Sequence, residues 1–274
     1  MDTKTFEKGT ISISFVDEAL VCIRDRGLDQ NALLIQAGIS PELLGSPQAR
    51  VSSRQYGVLW PLIAHTLDDE FFGMDSHRMK AGSFTLLCHA VIDSDTLERA
   101  LRRALRFLRL VLDDMSGELR IEGEMVHLAL QDTVRNVPAS GTPAIAPKRA
   151  FAYGTYLIIL HGLACWLVGR RIPLASADFC CAEPPYCEEW KILFSRNLNF
   201  NQAYSCISFS TAYLAMANIQ NERTMKDFLR CAPANFLVKY KNSASLSAKI
   251  RRRLRELPPA SWPDFDTLAR QFHS

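Results

Sequence analysis

FAYGTYLIILHGLACWLV, residues 151–168, is either a membrane span or the central helix of a soluble core, and the rest of the chain has to be arranged around whichever it is. A span needs about 20 consecutive apolar residues. This run has eighteen, and inside them lie two tyrosines, His161 and two glycines, Gly154 and Gly162. Such groups suit a protein interior, where neighbouring elements can pair with them. The run is therefore predicted to be a buried helix crossing a domain core, followed by Gly169-Arg170-Arg171.

Working outward, TVRNVPASGTPAIAP (133–147) is rich in Pro, Ser and Gly and reads as a surface loop. Ahead of it, GELRIEGEMVHLALQD (117–132) alternates apolar and polar residues around Gly123-Glu124, the pattern of a hairpin. A helix is predicted from Thr96 to about Leu112, opened by an Asp95–Glu98 capping pair. Its Leu97, Leu101, Leu105, Phe107 and Leu108 point inward, and Arg99, Arg102, Arg103, Arg106 and Arg109 form an exposed face. On the far side of the apolar run, Leu174 to Ala182, Leu198 to Phe200 and Tyr204 to Phe209 are strand-like, with the helix CEEWKILF (187–194) between them.

The N-terminal part reads as short helices with marked ends. Phe15, Val16, Ala19, Leu20 and Ile23 make a helical stripe closed by Gly27; Asp29 starts a second helix that Gly38 terminates. Ser40-Pro41 opens a short third turn. Ser52 or Ser53 caps a fourth helix, on which Tyr56, Leu59, Trp60, Ile63 and Ala64 share one side. Helices clustered apart from strands favour an α+β fold: a helical N-terminal part packed with a small, mostly antiparallel sheet and a long buried helix.

At 274 residues and 48% hydrophobic, the chain can bury a large core. Its opening, MDTKTFEKGTISIS, is polar and mixed rather than a charged-then-apolar leader, so the expected compartment is the cytoplasm, with no membrane partner. Eight cysteines scattered through apolar segments are expected to be buried and reduced. The one local group, Cys180, Cys181 and Cys187, lacks the paired spacing of a structural zinc site; no metal or other cofactor is expected, and packing accounts for these thiols.

The carboxyl end differs in character. SLSAKIRRRLREL (245–257) is a basic amphipathic stretch with Leu246, Ile250, Leu254 and Leu257 at helical spacing; Pro258-Pro259 stops it. After Ser261-Trp262-Pro263, the segment DFDTLARQFHS (264–274) can be capped by Asp264 or Asp266 and carries Phe265, Leu268, Ala269 and Phe272 on one face. Residues 239–274 hold eight Lys or Arg against three acids, +5, so the chain's +3 leaves −2 for residues 1–238. A basic tail on a mildly acidic body suits a segment that sits near phosphates, with Arg251, Arg252, Arg253 and Arg255 as the candidate DNA contacts, and charge alone suits an ordinary solvated helix equally well.

This tail resembles the first part of the AraC/XylS-type DNA-binding domain, in which a basic-flanked helix and a proline break lead to a helix bearing Leu-Ala and a following His and Ser. The matching residues are Leu254, Leu257, Leu268, Ala269, Phe272, His273 and Ser274. From about Ile11 to about Leu237 the chain resembles the arabinose-binding-type regulatory domain of the same regulators. That likeness rests on the order and spacing of residues 27–60, HTLDDEFFGM (65–74), residues 81–111 and residues 184–214 rather than on one signature. Members of the family continue through a second helix-turn-helix that this sequence does not reach, so the fragment is expected to bind DNA weakly. The implied division is a sensing and dimerisation domain, 1–240, followed by the start of an all-α helix-turn-helix domain, 241–274.

Catalytic patterns are missing: there is no G-x-S-x-G elbow, Gly-rich phosphate loop, G-x-G-x-x-G or H-E-x-x-H, and no Cys/His or carboxylate pair whose spacing forces proximity. An enzyme is not expected. A sensor needs a largely apolar cavity with a few orienting polar groups, and the candidates are Trp60, His65, Phe84, His89, Tyr153, Tyr156, His161 and Trp166. His161 stands out because it interrupts an apolar helix; it either contacts an effector or bonds a backbone carbonyl. The resemblance implies a ligand-responsive homodimer whose effector biases attached DNA-binding heads, with RNA polymerase as a further partner to consider. A module that only dimerises is the rival reading.

Overall fold

A computed structural model of the protein describes residues 10–133 and 147–232, with positions 250, 254, 257, 261–264, 267 and 270 beyond them. The described chain begins with β1 (Thr10–Ser12) and α1 (Ile13–Asp25), whose predicted stripe is entirely buried. Gly27, at φ +66°, lets the chain turn out of α1 without Cβ strain. Next comes α2 (Gln30–Gln36), capped by the Asp29 carboxylate, which accepts from the amides of Asn31 and Ala32. A 3-10 turn over Pro41–Gly45 leads to β2 (Arg50–Ser52), which pairs antiparallel with β1 and sets Val51 opposite Ile11. Ser52, rather than Ser53, caps α3 (Ser53–Leu67), in a reciprocal box with Gln55.

Residues 68–82 form an irregular loop built around two buried carboxylates. Asp69, 0% exposed, accepts from the amides of Phe71, Gly73 and Met79. Asp75 accepts from four, those of His77, Asp113, Asp114 and Met115, and so ties the loop to the start of the sheet. Then follow α4 (Ser83–Ile92) and α5 (Leu97–Val111). The cap of α5 is Thr96, whose hydroxyl accepts from the Arg99 amide; the predicted cap Asp95 instead pairs with the Arg99 guanidinium across one turn. An exposed carboxylate with an arginine four residues on gains more from that charge than from a cap already filled by a hydroxyl. All five arginines of α5 are exposed, as predicted.

The remaining elements are β3 (Met115–Glu122), β4 (Met125–Asp132), α6 (Pro147–Leu167), β5 (Ser176–Asp178), α7 (Cys187–Leu193), β6 (Leu198–Asn199), β7 (Cys206–Ser210) and α8 (Glu222–Cys231). The hairpin β3–β4 turns at Gly123, φ +59°. The five-stranded sheet runs β3-β4-β7-β5-β6, antiparallel except for the β5–β6 pair. Strands after α6 are shorter than predicted. The Phe179 amide still donates to the Asn199 carbonyl, but beyond it the backbone leaves the ladder and the Cys180 amide donates to the Ser205 hydroxyl instead.

Every residue from Ala150 to Gly169 is buried, so the apolar run is the core helix of the globule. It packs on α1 and α5 and lies beside α7 so closely that a Cβ on Gly154 would meet the Trp190 indole at 2.8 Å. Trp190 cannot retreat, because Phe179 stacks on it at 4.0 Å and Phe200 at 6.1 Å. Gly154→Ala gains about 1 kcal/mol of helix propensity but overpacks a fixed indole at a cost of about 1–3 kcal/mol or more. The net expectation is about 1 kcal/mol of destabilisation, read by urea unfolding; a variant more stable than the parent would show that Trp190 has room to move.

At the carboxyl end, Ile250, Leu254, Thr267 and Arg270 are helical. The Trp262 indole N–H donates to the carbonyls of Leu254 and Leu257 at 2.9 and 3.3 Å, closing the end of the first predicted helix. Asp264 accepts from the Thr267 amide at 2.8 Å, as the cap predicted for the second. Those bonds to Thr267 hold its carboxyl below the ordinary value. Arg251, Arg252, Arg253 and Arg255, and Leu268, Ala269, Phe272, His273 and Ser274, lie outside the described residues.

Candidate functional site: a cavity between α3, α4 and α8

Helical spacing gives α3 two useful faces. Tyr56, Leu59 and Ile63 enter the core, while Trp60, Pro61, Ala64 and His65 turn toward a cavity of about 260 Å³. Its second wall is Ala81 from the loop with Phe84 and Thr85 from α4, and its third is Leu229 and Ala232 at the end of α8; Met79 and Ile159 complete the apolar lining. Phe228 fastens α8 to this wall. Its ring stacks on Trp166 at 4.3 Å and 13° and meets Phe84 at 6.1 Å.

The charged group in the lining is Glu70. Gly82, the residue before α4, has no side chain with which to cap it, and Glu70 supplies the missing acceptor: Oε1 accepts from the Gly82 amide at 2.7 Å and Oε2 from the Phe84 amide at 2.6 Å. Burial pushes the Glu70 carboxyl above its ordinary value, and the two amides hold it back down. The carboxylate is thus fixed in orientation, with lone pairs left over for an occupant.

Of the sequence-predicted candidates, Trp60, His65 and Phe84 are brought together here. His89 is exposed on α4 outside the lining. Tyr153, Tyr156, His161 and Trp166 all belong to α6 and lie away from the cavity. Tyr153 donates to Asp132 Oδ2 at 2.7 Å, and the Tyr156 hydroxyl lies against Gly117. Nε2 of His161 donates to the Ile172 carbonyl at 2.9 Å, the backbone bond that was the alternative to effector contact. Burial lowers its pKa to about 4, so the ring is neutral at pH 7. Trp166 reaches the cavity only through Phe228. Sequence reasoning passed over Glu70, Thr85, Leu229 and Ala232. The Asp-Glu run of 68–70 beside an apolar Phe-Phe pair was the available signal for a tethered loop.

The three grouped cysteines do separate things. Cys180 faces the Ser205 hydroxyl, Cys181 is buried, and the Cys187 thiol donates to Glu183 at 2.8 Å. Among the described residues no group of three His, Cys, Asp or Glu is placed to hold a metal ion. A second cavity, about 250 Å³, opens between Ile13, Asp17, Leu44 and Tyr186; its Asp17 is already engaged by Arg24 at 2.6 Å.

The sequence model for the arabinose-binding domain of AraC transcription regulators, N-terminal, matches residues 27–218, more than half of the chain. The chain belongs to this AraC regulator family. The ornithine utilization regulator of Pseudomonas aeruginosa is 23% identical to it, over 98% of this chain and 77% of that protein. In this AraC-type chain the matched domain takes in α3, α4 and the sheet but ends ahead of α8. The cavity therefore has two walls inside the family domain and one, Leu229 and Ala232, on the helix that follows it.

Proposed function

We propose that the chain is the sensing part of a ligand-responsive transcription regulator, with the effector seated in the cavity between α3, α4 and α8. The observation that carries this is the position of α8. It forms a cavity wall and is also the last described helix before the basic segment that resembles a DNA-binding head. An occupant touching Leu229 and Ala232 favours one placement of α8 over others, and only such differential contact can move a conformational equilibrium. In this reading residues 1–240 sense and dimerise, residues 241–274 begin the helix-turn-helix domain, and the regulator works as a homodimer on DNA, in the cytoplasm, with RNA polymerase as its downstream partner. No catalytic step is assigned to it.

Thermal-shift screening of small metabolites tests the reading, with Ala81→Trp as the control. Ala81 is exposed at the cavity rim, so an indole there fills the site without entering the core. The variant is expected to keep its melting temperature and to lose at least tenfold in affinity for any hit. A broad library without a hit, or hits that bind Ala81→Trp unchanged, would overturn the assignment in favour of a module that only dimerises.

A further inference from the structure

The chemistry of the cavity also restricts what can occupy it. Among the described residues its lining contains a fixed carboxylate, Glu70, and no lysine or arginine. Anything that enters strips water from that carboxylate, and a desolvated charge left without a partner is costly. An anion makes the position worse by repulsion. A neutral apolar molecule offers nothing to replace the water lost, leaving the charge to the two amides that already bond it. A sugar could donate a hydroxyl to Glu70 and bond His65 or Thr85 with another, but its remaining hydroxyls would face Ala64, Met79, Ile159 and Leu229, whose side chains cannot accept or donate usefully. The aromatic side chains of Trp60 and Phe84 also belong to the lining, and an aromatic ring attracts a cation that reaches its face.

Resting on the reading of this cavity as the effector site, we infer that it takes a small organic cation: an ammonium group, paired with Glu70, on a short apolar body. The amides of Gly82 and Phe84 hold Glu70 in one orientation before the ligand arrives, so little ordering is left for binding to do. The size agrees, because about 260 Å³ is just below the range of about 300–1,000 Å³ for small-molecule sites and suits a metabolite rather than a larger cofactor. Thr85, exposed at the rim, supplies one further hydroxyl for a second polar group on the ligand.

The test compares probes that share a five-carbon body on the full chain by ligand-observed NMR: pentylamine, pentanol, pentanoate and arabinose. Pentylamine is expected to bind at least tenfold more tightly than the other three, and Ala81→Trp should abolish its binding. Thr85→Lys brings a second cation to the rim of the cavity without touching the core, and is expected to weaken pentylamine at least tenfold while sparing pentanol. Glu70→Gln should remove the preference for the amine; Thr85→Lys reports the same charge effect should Glu70→Gln fail to fold. Pentanol or arabinose binding as well as the amine, with blockage by Ala81→Trp, overturns the cation inference and leaves the cavity as the effector site. Binding by none of the four overturns both.

Discussion

Replacing Arg149 with methionine is expected to lower the unfolding free energy by about 3–5 kcal/mol, the usual cost of removing one partner from a buried ion pair. Arg149 begins the core helix and is 13% exposed; its guanidinium grips Asp132, 5% exposed, with two parallel bonds, one of them Nε to Oδ2 at 2.9 Å. Nη1 also donates to the Met74 carbonyl at 2.7 Å, so one side chain joins the helix, the end of β4 and the loop after α3. Tyr153 donates to the same carboxylate, which shows how completely Asp132 relies on local donors. Methionine keeps the stem's apolar bulk but takes the guanidinium charge and both of its bonds away from Asp132. The double variant Arg149→Met/Asp132→Leu should recover much of the loss, since an apolar pair of similar volume is often neutral. Urea titration of the three proteins measures both effects. A single variant within 1 kcal/mol of the parent would mean that water reaches Asp132 and that the grip is not a stabilising joint.

The second large effect depends on pH. His161 has a folded pKa lowered to about 4 from 6.5, first by burial, with the bond to Ile172 opposing and the charge of Arg171 assisting. Between those values the unfolded chain holds a proton that the folded chain refuses, so this group's contribution to stability falls as pH falls. It is complete above about pH 6.5, and about 3 kcal/mol is gone by pH 4, at 1.36 kcal/mol for each unit of difference. Buried carboxyls act the other way. Burial lifts Asp69, Glu70 and Glu189 above their ordinary values, so they take up protons on the folded side and favour folding as pH drops. The informative quantity is therefore the difference between the parent and His161→Gln, in which an amide N–H still reaches Ile172 and the carboxyl contributions cancel. That difference should narrow by about 3 kcal/mol between pH 7 and pH 4. A constant difference would place a proton on the folded imidazole and water beside it.

Both effects arise on a helix that was legible in advance. The stripes of α1, α3 and α5, the hairpin at Gly123 and the all-apolar α6 repeat at helical or strand period, and local chemistry marks where most of them start and stop. Other elements carry no such mark. Three-residue strands such as β1 and β2 are too short for a period to register, and their pairing joins Thr10 to Ser52 across two helices and the loops between them. In α4, Leu87, Cys88 and Val91 are buried while Leu86 is 61% exposed, so apolar residues on both faces blur the stripe. The cavity was half visible. Aromatic and histidine side chains on apolar helices found Trp60, His65 and Phe84, but the same rule selected four residues of α6 that are core. Glu70 was invisible for a different reason: a charged residue in a loop reads as solvated until the chain folds back and sets its carboxylate on the amides of another element.

The placement of Phe228 has a consequence for the whole regulator. It is held between Trp166 and Phe84, and if the cavity seats an effector as proposed, the seating of α8 and the filling of the cavity become one linked equilibrium. Linkage is reciprocal. Whatever factor an occupant adds to the seated arrangement, a partner that pulls α8 away must subtract from the occupant's affinity. On that proposal, tension exerted on α8 from the chain beyond it would be felt as weaker ligand retention, and a tail under load would loosen whatever the cavity holds.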